Sequence, residues 1–140
     1  IKSLKGKISH PIFIDESATG IDMVCKSIQD QVADGFGMKI TRVGGLSNTI
    51  TIRDICRNFE RPMTCEDTWG GDIMAAACVH MGATIAPKLL EGVWIPDNYI
   101  DGNYDNDEPV KAGSHIKVPV GPGLGINPDT TKWVHLVAFD

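Results

Sequence analysis

Four strand-like runs of this chain each stop at a residue able to do chemistry. Pro11-Ile-Phe-Ile ends at Asp15-Glu16, and Gly37-Met ends at Lys39. Pro62-Met-Thr-Cys ends at Glu66-Asp67, and Leu89-Leu-Glu-Gly-Val ends at Trp94. From Asp15 to Lys39 to Glu66 to Trp94 the steps are 24, 27 and 28 residues, each close to one strand-plus-helix unit. In parallel β/α architecture every strand end points to one rim, where sites form. Carboxylates, one lysine and an aromatic ring would then converge although far apart in sequence. Such a rim suits proton abstraction next to a carboxylate. The α-proton is too weakly acidic for lysine unless the negative charge is stabilised as it forms, and a divalent ion held by carboxylates supplies that. Mg²⁺ prefers such oxygen ligands. A lysine beside a metal and a second cation is expected to have its pKa lowered into a useful range.

The elements that must position these groups can be read from pattern. Ile1–Ser9 has the look of a helix tail with basic residues in its last turns. Apolar residues at 21, 24, 25, 28 and 32 form one helical face, with a stop expected at Asp34-Gly35. The apolar run Ile12, Phe13 and Ile14 after Pro11 reads as a short strand buried on both faces, Phe36–Thr41 as the second strand and Gly44-Gly45 as a turn. Ser47 is a fair N-cap for a helix carrying Ile52, Ile55, Cys56 and Phe59 on one face, broken by Arg61-Pro62. Asp72 is placed to cap an alanine-rich helix from Ile73 to Met81. The fourth strand lies within Ile85–Trp94, after which the alternation fails. Asp97–Glu108 reads as an acidic surface loop, His115–Val120 as a candidate strand, Gly121-Pro-Gly-Leu-Gly125 as a turn and Thr131–Phe139 as an apolar closing segment. Four such units are half of an eight-stranded barrel, which usually needs about 250 residues. The expected fold is therefore α/β, the C-terminal half of a TIM-like (β/α) barrel. Residues 1–118 would form the partial barrel. Residues 119–140 would pack back on it or on a capping domain. An open four-stranded parallel sheet is the alternative.

Composition narrows the partners. With 42% hydrophobic residues and net charge −5, the chain is globular and lacks a Lys/Arg-rich face for nucleic acid. No apolar run nears the roughly 20 residues that span a bilayer. Cys25, Cys56, Cys65 and Cys78 contain no C-x-x-C pair, so they read as small buried hydrophobes in a reducing, cytoplasmic setting. His10, His80, His115 and His135 have no partner at metal spacing.

The runs Pro11-Ile-Phe-Ile-Asp-Glu-Ser, Met38-Lys-Ile-Thr-Arg-Val-Gly-Gly-Leu, Pro62-Met-Thr-Cys-Glu-Asp-Thr-Trp-Gly-Gly-Asp and Pro122-Gly-Leu-Gly-Ile resemble the C-terminal half of the mandelate racemase/muconate lactonizing enzyme family of the enolase superfamily. Within it, Glu66-Asp-Thr-Trp-Gly-Gly-Asp72 resembles enzymes acting on hydroxyproline, cis-3-hydroxyproline dehydratase and hydroxyproline-betaine 2-epimerase. The resemblance implies Asp15 as the last of three metal carboxylates, Glu16 as its neighbour and Lys39 as the acid/base after the sixth barrel strand. It puts Glu66 and Asp67 near the substrate, and leaves Trp94, or Trp69, to face a substrate ammonium through a cation–π contact worth about 0.5–2 kcal/mol.

The other two Mg²⁺ carboxylates, the opposing lysine and the capping domain would all precede Ile1. The isolated chain is accordingly expected to be inactive, and the missing N-terminal half to be its first partner. The implied reaction is Mg²⁺-dependent epimerisation or dehydration of a hydroxyproline or proline-betaine type substrate by an enediolate route, in a homo-oligomer. The alternatives are a dipeptide epimerase, a muconate cycloisomerase, a sugar-acid dehydratase (disfavoured, because such enzymes usually carry a histidine where this chain has Glu66-Asp67) or a non-catalytic α/β fragment.

Overall fold

A computed structural model describes residues 1–66, 69–96, 99–102, 104 and 111–134. The elements are α1 (Lys2–Lys5), β1 (Phe13–Ile14), α2 (Ile21–Gln29), β2 (Gly35–Lys39), α3 (Leu46–Asn58), β3 (Met63–Glu66), α4 (Gly71–Ala83) and β4 (Leu90–Trp94). A separate antiparallel pair follows, β5 (Lys111–Ala112) with β6 (His115–Ile116). Strands β1 to β4 form one parallel sheet in the order β1-β2-β3-β4. Each strand lies beside its predecessor. A doubly wound sheet reverses its strand order part-way, whereas a barrel advances steadily, so the order favours the barrel over the open-sheet alternative.

Strand β1 is not buried on both faces as expected, because Ile14 is buried but Phe13 is 38% exposed. In β2 the residues from Gly35 to Met38 are buried, with Phe36 and Met38 essentially inaccessible. Val24 and Ile28 of α2, Ile52 and Cys56 of α3, Met63 and Cys65 of β3 and Cys78 of α4 complete one continuous core. Helix α4 is buried nearly all round, as expected for a helix of small residues. At Gly82 an added Cβ would lie 2.4 Å from Val93 Cγ2, so glycine there permits the helix to sit directly on β4.

Several sequence-based boundaries shift. Helix α2 stops at Gln29, well before Asp34-Gly35, because the chain turns left-handed at Gln31 (φ 54°). Gly35 is instead the first residue of β2, where a Cβ would lie 2.8 Å from Pro62 O and 2.4 Å from the Phe13 ring. Asp34 joins three segments: its carboxylate accepts from Ile12 N at 2.7 Å and from Lys5 Nζ. Strand β2 ends at Lys39 and not Thr41, since residues 39–45 wind into a turn closed by Gly45 N donating to Ile40 O at 2.8 Å.

Ser47 lies inside α3, whose N-cap is Gly45. Asp72 lies in the first turn of α4, whose N-cap is Gly70. The Asp72 carboxylate is buried and accepts from Tyr104 N at 2.5 Å, which ties the segment after β4 to the start of α4. The candidate strand His115–Val120 shrinks to His115–Ile116. Most of the acidic loop and of the closing segment lie outside the described residues. Among the described residues no helix is long and apolar enough to cross a membrane.

Candidate active site

The C-terminal ends of the four parallel strands form one edge, and register brings the candidate residues to it. Lys39 is the Cα partner of Glu66, and Glu66 that of Trp94. Asp15 follows Ile14, whose partner is Phe36. The side chain of Lys39 is only 13% exposed. Its Nζ lies 2.6 Å from Asp15 Oδ1, 2.8 Å from Glu16 Oε1 and 3.3 Å from Glu66 Oε2. Three carboxylates from the neighbours on either side therefore converge on one ammonium. The Glu66 carboxylate is further held by Thr64 Oγ1, which donates to Oε1 at 2.5 Å.

Gly37 makes this convergence possible. A Cβ there would lie 3.0 Å from Glu66 Oε1 and 3.1 Å from Asp15 Oδ1. Both carboxylates thus crowd the position that a Cβ at residue 37 would take.

Arg42 is a member of the cluster that residue-type reasoning did not single out. Its Nη1 donates to Asp15 O at 2.7 Å and to Asp15 Oδ1 at 2.9 Å, and its Nη2 to Glu16 Oε1 at 3.0 Å. Ile40 and Val43 are buried and anchor the turn after β2. In that turn Arg42 N donates to Lys39 O at 3.1 Å, so residues 39 and 42 fall on the same side, as i and i+3 do on a helix. The three-residue interval from Lys39 was the available signal.

The electrostatics differ from the expectation. Burial alone would lower the Lys39 pKa, but hydrogen bonds to Asp15 and Glu16 and the charge of Glu66 outweigh it, so the amine is held above its ordinary value. Arg42 opposes that rise only in part. For Asp15, burial would raise the carboxyl, yet the bonds from Lys39 and Arg42 hold it below the usual carboxylate range.

Trp94 ends β4 and is 61% exposed, while Trp69 (φ 65°) is 69% exposed and packs edge-on against Tyr99 with ring centroids 4.8 Å apart. Asp67 lies outside the described residues. Of the cysteines, Cys56, Cys65 and Cys78 are buried as expected, whereas Cys25 is exposed. Burial pushes the Cys56 and Cys65 thiols up to about 12. A cavity of about 460 Å³ lined by Cys25, Ile28, Gln31, Phe59 and Arg61 belongs to the opposite end of the strands, since Gln31 precedes β2 and Arg61 precedes β3.

Mg²⁺ can be tested against these residues. The donors are all carboxylate oxygens, which suits a hard cation. Their number does not suffice, since no group of three His, Cys, Asp or Glu side chains able to hold a metal occurs among the described residues. The carboxylates at this rim, Asp15 among them, therefore fit such an ion only as part of a larger donor set.

A parallel (β/α) barrel segment whose strand ends gather a lysine and carboxylates defines the class, and the family comparison agrees. Residues 1–132 match the model for the enolase C-terminal domain-like family, and the chain belongs to that family. It is 30% identical over 126 residues to the cis-3-hydroxy-L-proline dehydratase of Roseibium aggregatum, covering 90% of this chain and 34% of that protein. It is 31% identical over 130 residues to the N-succinylamino acid racemase of Amycolatopsis sp., covering 89% of this chain and 34% of that protein.

Among solved structures, a mandelate racemase/muconate lactonizing enzyme from Roseovarius nubinhibens ISM superposes with a TM-score of 0.89 at 28% identity, covering 98% of this chain and 37% of that one. A further structure of that type from the same organism, complexed with magnesium, superposes with a TM-score of 0.87 over 91% of this chain and 35% of that one; at 24% identity it speaks to fold alone. The chain spans about a third of the length of the curated relatives it matches. These relatives and the fold identify the sheet as the C-terminal part of a TIM-type barrel.

Proposed function

We propose that the intact protein removes the α-proton of an amino-acid-type carboxylate and that Lys39 is one of its acid/base groups. The observation that carries this is the placement of Lys39 Nζ within 3.3 Å of carboxylates from both neighbouring strand ends. Asp15 would contribute to a divalent cation site. When bound, the cation would supply positive charge against which the substrate carboxylate accumulates electrons.

The chain's own part follows from its geometry. Lys39 in these surroundings is an ammonium, the form that delivers a proton. Abstraction needs the neutral amine, so the carboxylates of Asp15 and Glu16 have to be engaged elsewhere while substrate is bound. The neutral amine takes the proton from Cα, and the C–H electron pair passes into the substrate carboxylate. If a proton returns to the opposite face, the product is the epimer. If instead the electron pair returns to form a Cα–Cβ double bond, it expels the β-hydroxyl. That group takes a proton from an acid such as the ammonium just formed on Lys39 and leaves as water, and the product is the dehydrated acid. Glu66 and Asp67 would line the substrate at the next strand end. Trp94 would present its ring to a substrate ammonium, a contact worth about 0.5–2 kcal/mol.

A hydroxyproline or proline betaine is the substrate class we favour. It rests on the 30% identity to a hydroxyproline dehydratase and on the exposed Trp94. The nearly equal identity to an N-succinylamino acid racemase supports the reaction class more firmly than the substrate. The test is to incubate the intact protein with Mg²⁺ in deuterated water. The candidates are cis-3-hydroxy-L-proline, proline betaine, an N-succinylamino acid and a sugar acid, each followed for loss of its α-proton NMR signal. Exchange or turnover confined to the cyclic amino acids is expected. Exchange of the N-succinylamino acid alone would overturn the substrate, and exchange of none would overturn the reaction.

A further inference from the structure

Lys39 and Arg42 share their acceptors: Asp15 Oδ1 and Glu16 Oε1 each receive a hydrogen bond from both cations. Arg42 also makes a contact that Lys39 does not, from Nη1 to the backbone oxygen of Asp15 at 2.7 Å. Its side chain is 16% exposed, so its two bonds to Asp15 are partly shielded from water, whereas the bond to Glu16, whose side chain is 75% exposed, is not. We infer that Arg42 is a positioning residue, a clamp that fastens the loop after β1 to the turn after β2 and so sets where Asp15 and Glu16 stand relative to Lys39. This rests on the α-proton reading above for its functional meaning, but the clamp itself is geometric.

Three features separate a clamp from an incidental surface ion pair. The planar guanidinium engages two side chains and a carbonyl at once, a fork that an ammonium cannot reproduce. The clamp bridges residues 26 and 27 positions apart, in loops carried by different strands. β1 itself is only two residues long, so its ladder alone gives Asp15 little support. Removal of Arg42 would leave the Asp15–Glu16 loop held to β2 at this rim chiefly by Lys39, the group whose amine must be released for chemistry.

The test uses the intact protein, with Mg²⁺ affinity by calorimetry as the first readout and α-proton exchange of cis-3-hydroxy-L-proline as the second. Groups that orient a ligating side chain typically matter by about 10–100-fold in metal affinity or activity. Arg42→Ala is expected to weaken Mg²⁺ by about tenfold or more, and to lower kcat by about 10–100-fold with KM within about twofold, because the hydrogen bonds of Arg42 go to Asp15 and Glu16. Added guanidinium ion should restore much of both losses in Arg42→Ala and none of the loss in Lys39→Ala. Arg42→Lys, which keeps the charge but not the fork, should recover little.

Unchanged Mg²⁺ affinity and kcat in Arg42→Ala would overturn the clamp, as would full recovery in Arg42→Lys. If Arg42→Ala fails to fold, Arg42→Lys and Arg42→Gln, with melting temperatures matched to wild type, decide on the same criteria. If the wild type exchanges nothing, yet Arg42→Ala loses Mg²⁺ affinity and guanidinium restores it, the clamp stands and the α-proton reading falls. If the wild type neither binds Mg²⁺ nor exchanges, both fall.

Discussion

Gly37→Ala should separate the integrity of the site from the integrity of the fold. The new methyl carbon would stand 3.0 Å from Glu66 Oε1, 3.1 Å from Asp15 Oδ1 and 3.2 Å from Asp15 Cγ, each a few tenths of an ångström inside ordinary contact. Neither carboxylate is free to give way without cost. Asp15 is held by Lys39 and Arg42, and Glu66 by Thr64 and Lys39. Overpacking of this kind costs about 1–3 kcal/mol, offset by about 0.4–1 kcal/mol from the smaller entropy of the unfolded alanine chain. The net loss of stability is thus about 0–2.5 kcal/mol, within what a folded barrel tolerates.

The effect on chemistry should be larger, because misplacing reacting groups by about 1 Å can cost about 100-fold in rate. Gly35→Ala is the contrasting variant, two residues earlier on the same strand. Its methyl would lie 2.8 Å from the backbone oxygen of Pro62 and 2.4 Å from the Phe13 ring, so it should lower the melting temperature more than Gly37→Ala. The assay pairs thermal melts with α-proton exchange per folded molecule. Exchange in Gly37→Ala equal to wild type, with folding retained, would refute the idea that both carboxylates must pass over Gly37.

Other consequences concern the scaffold. Asp34 has its pKa lowered by the hydrogen bond from Lys5 and then by that from Ile12 N. Its contribution is therefore present above the unfolded value of about 3.9 and lost as pH falls through the folded value. Asp34→Asn should cost about 1 kcal/mol at pH 7, with the gap to wild type closing toward pH 3; urea midpoints showing the same gap at both pH values would contradict this. Cys25 is the exposed one of the four cysteines, and burial pushes Cys56 and Cys65 to about 12. Brief iodoacetamide treatment at pH 8 followed by peptide mass mapping should find label on Cys25 alone among these four, whereas early label on Cys56 or Cys78 would mean that the core opens readily.

The rim was legible before the fold because it depends on interval, and interval survives errors in boundaries. Asp15, Lys39, Glu66 and Trp94 lie at consecutive strand ends whether β2 runs to Lys39 or to Thr41. What escaped were choices made by tertiary partners. Helix α2 could have continued on propensity toward Gly35, but Asp34 is needed to gather Lys5 and Ile12, and Gly35 to admit Pro62 and Phe13. Asp72 has the residue type of a cap, yet it lies two residues past the N-cap Gly70, is buried and accepts from Tyr104 N. Cys25 has the spacing of the apolar stripe of α2 but is exposed, whereas Val24 and Ile28 on that stripe are buried. Arg42 carried no strand-end signal, since its place comes from the turn that Ile40 and Val43 anchor. The elevated Lys39 pKa likewise depends on three carboxylates that only the folded rim brings together.

The central claim is that Lys39 exchanges a proton with a substrate α-carbon, and isotope exchange measures that transfer itself. In deuterated water with Mg²⁺, wild-type intact protein should replace the α-proton of cis-3-hydroxy-L-proline or proline betaine with deuterium. Lys39→Ala, with an unchanged melting temperature, should lose that exchange by more than about 1000-fold, beyond the usual 10²–10⁴ range's lower end for one acid/base group. Exchange at the wild-type rate in folded Lys39→Ala would contradict the account.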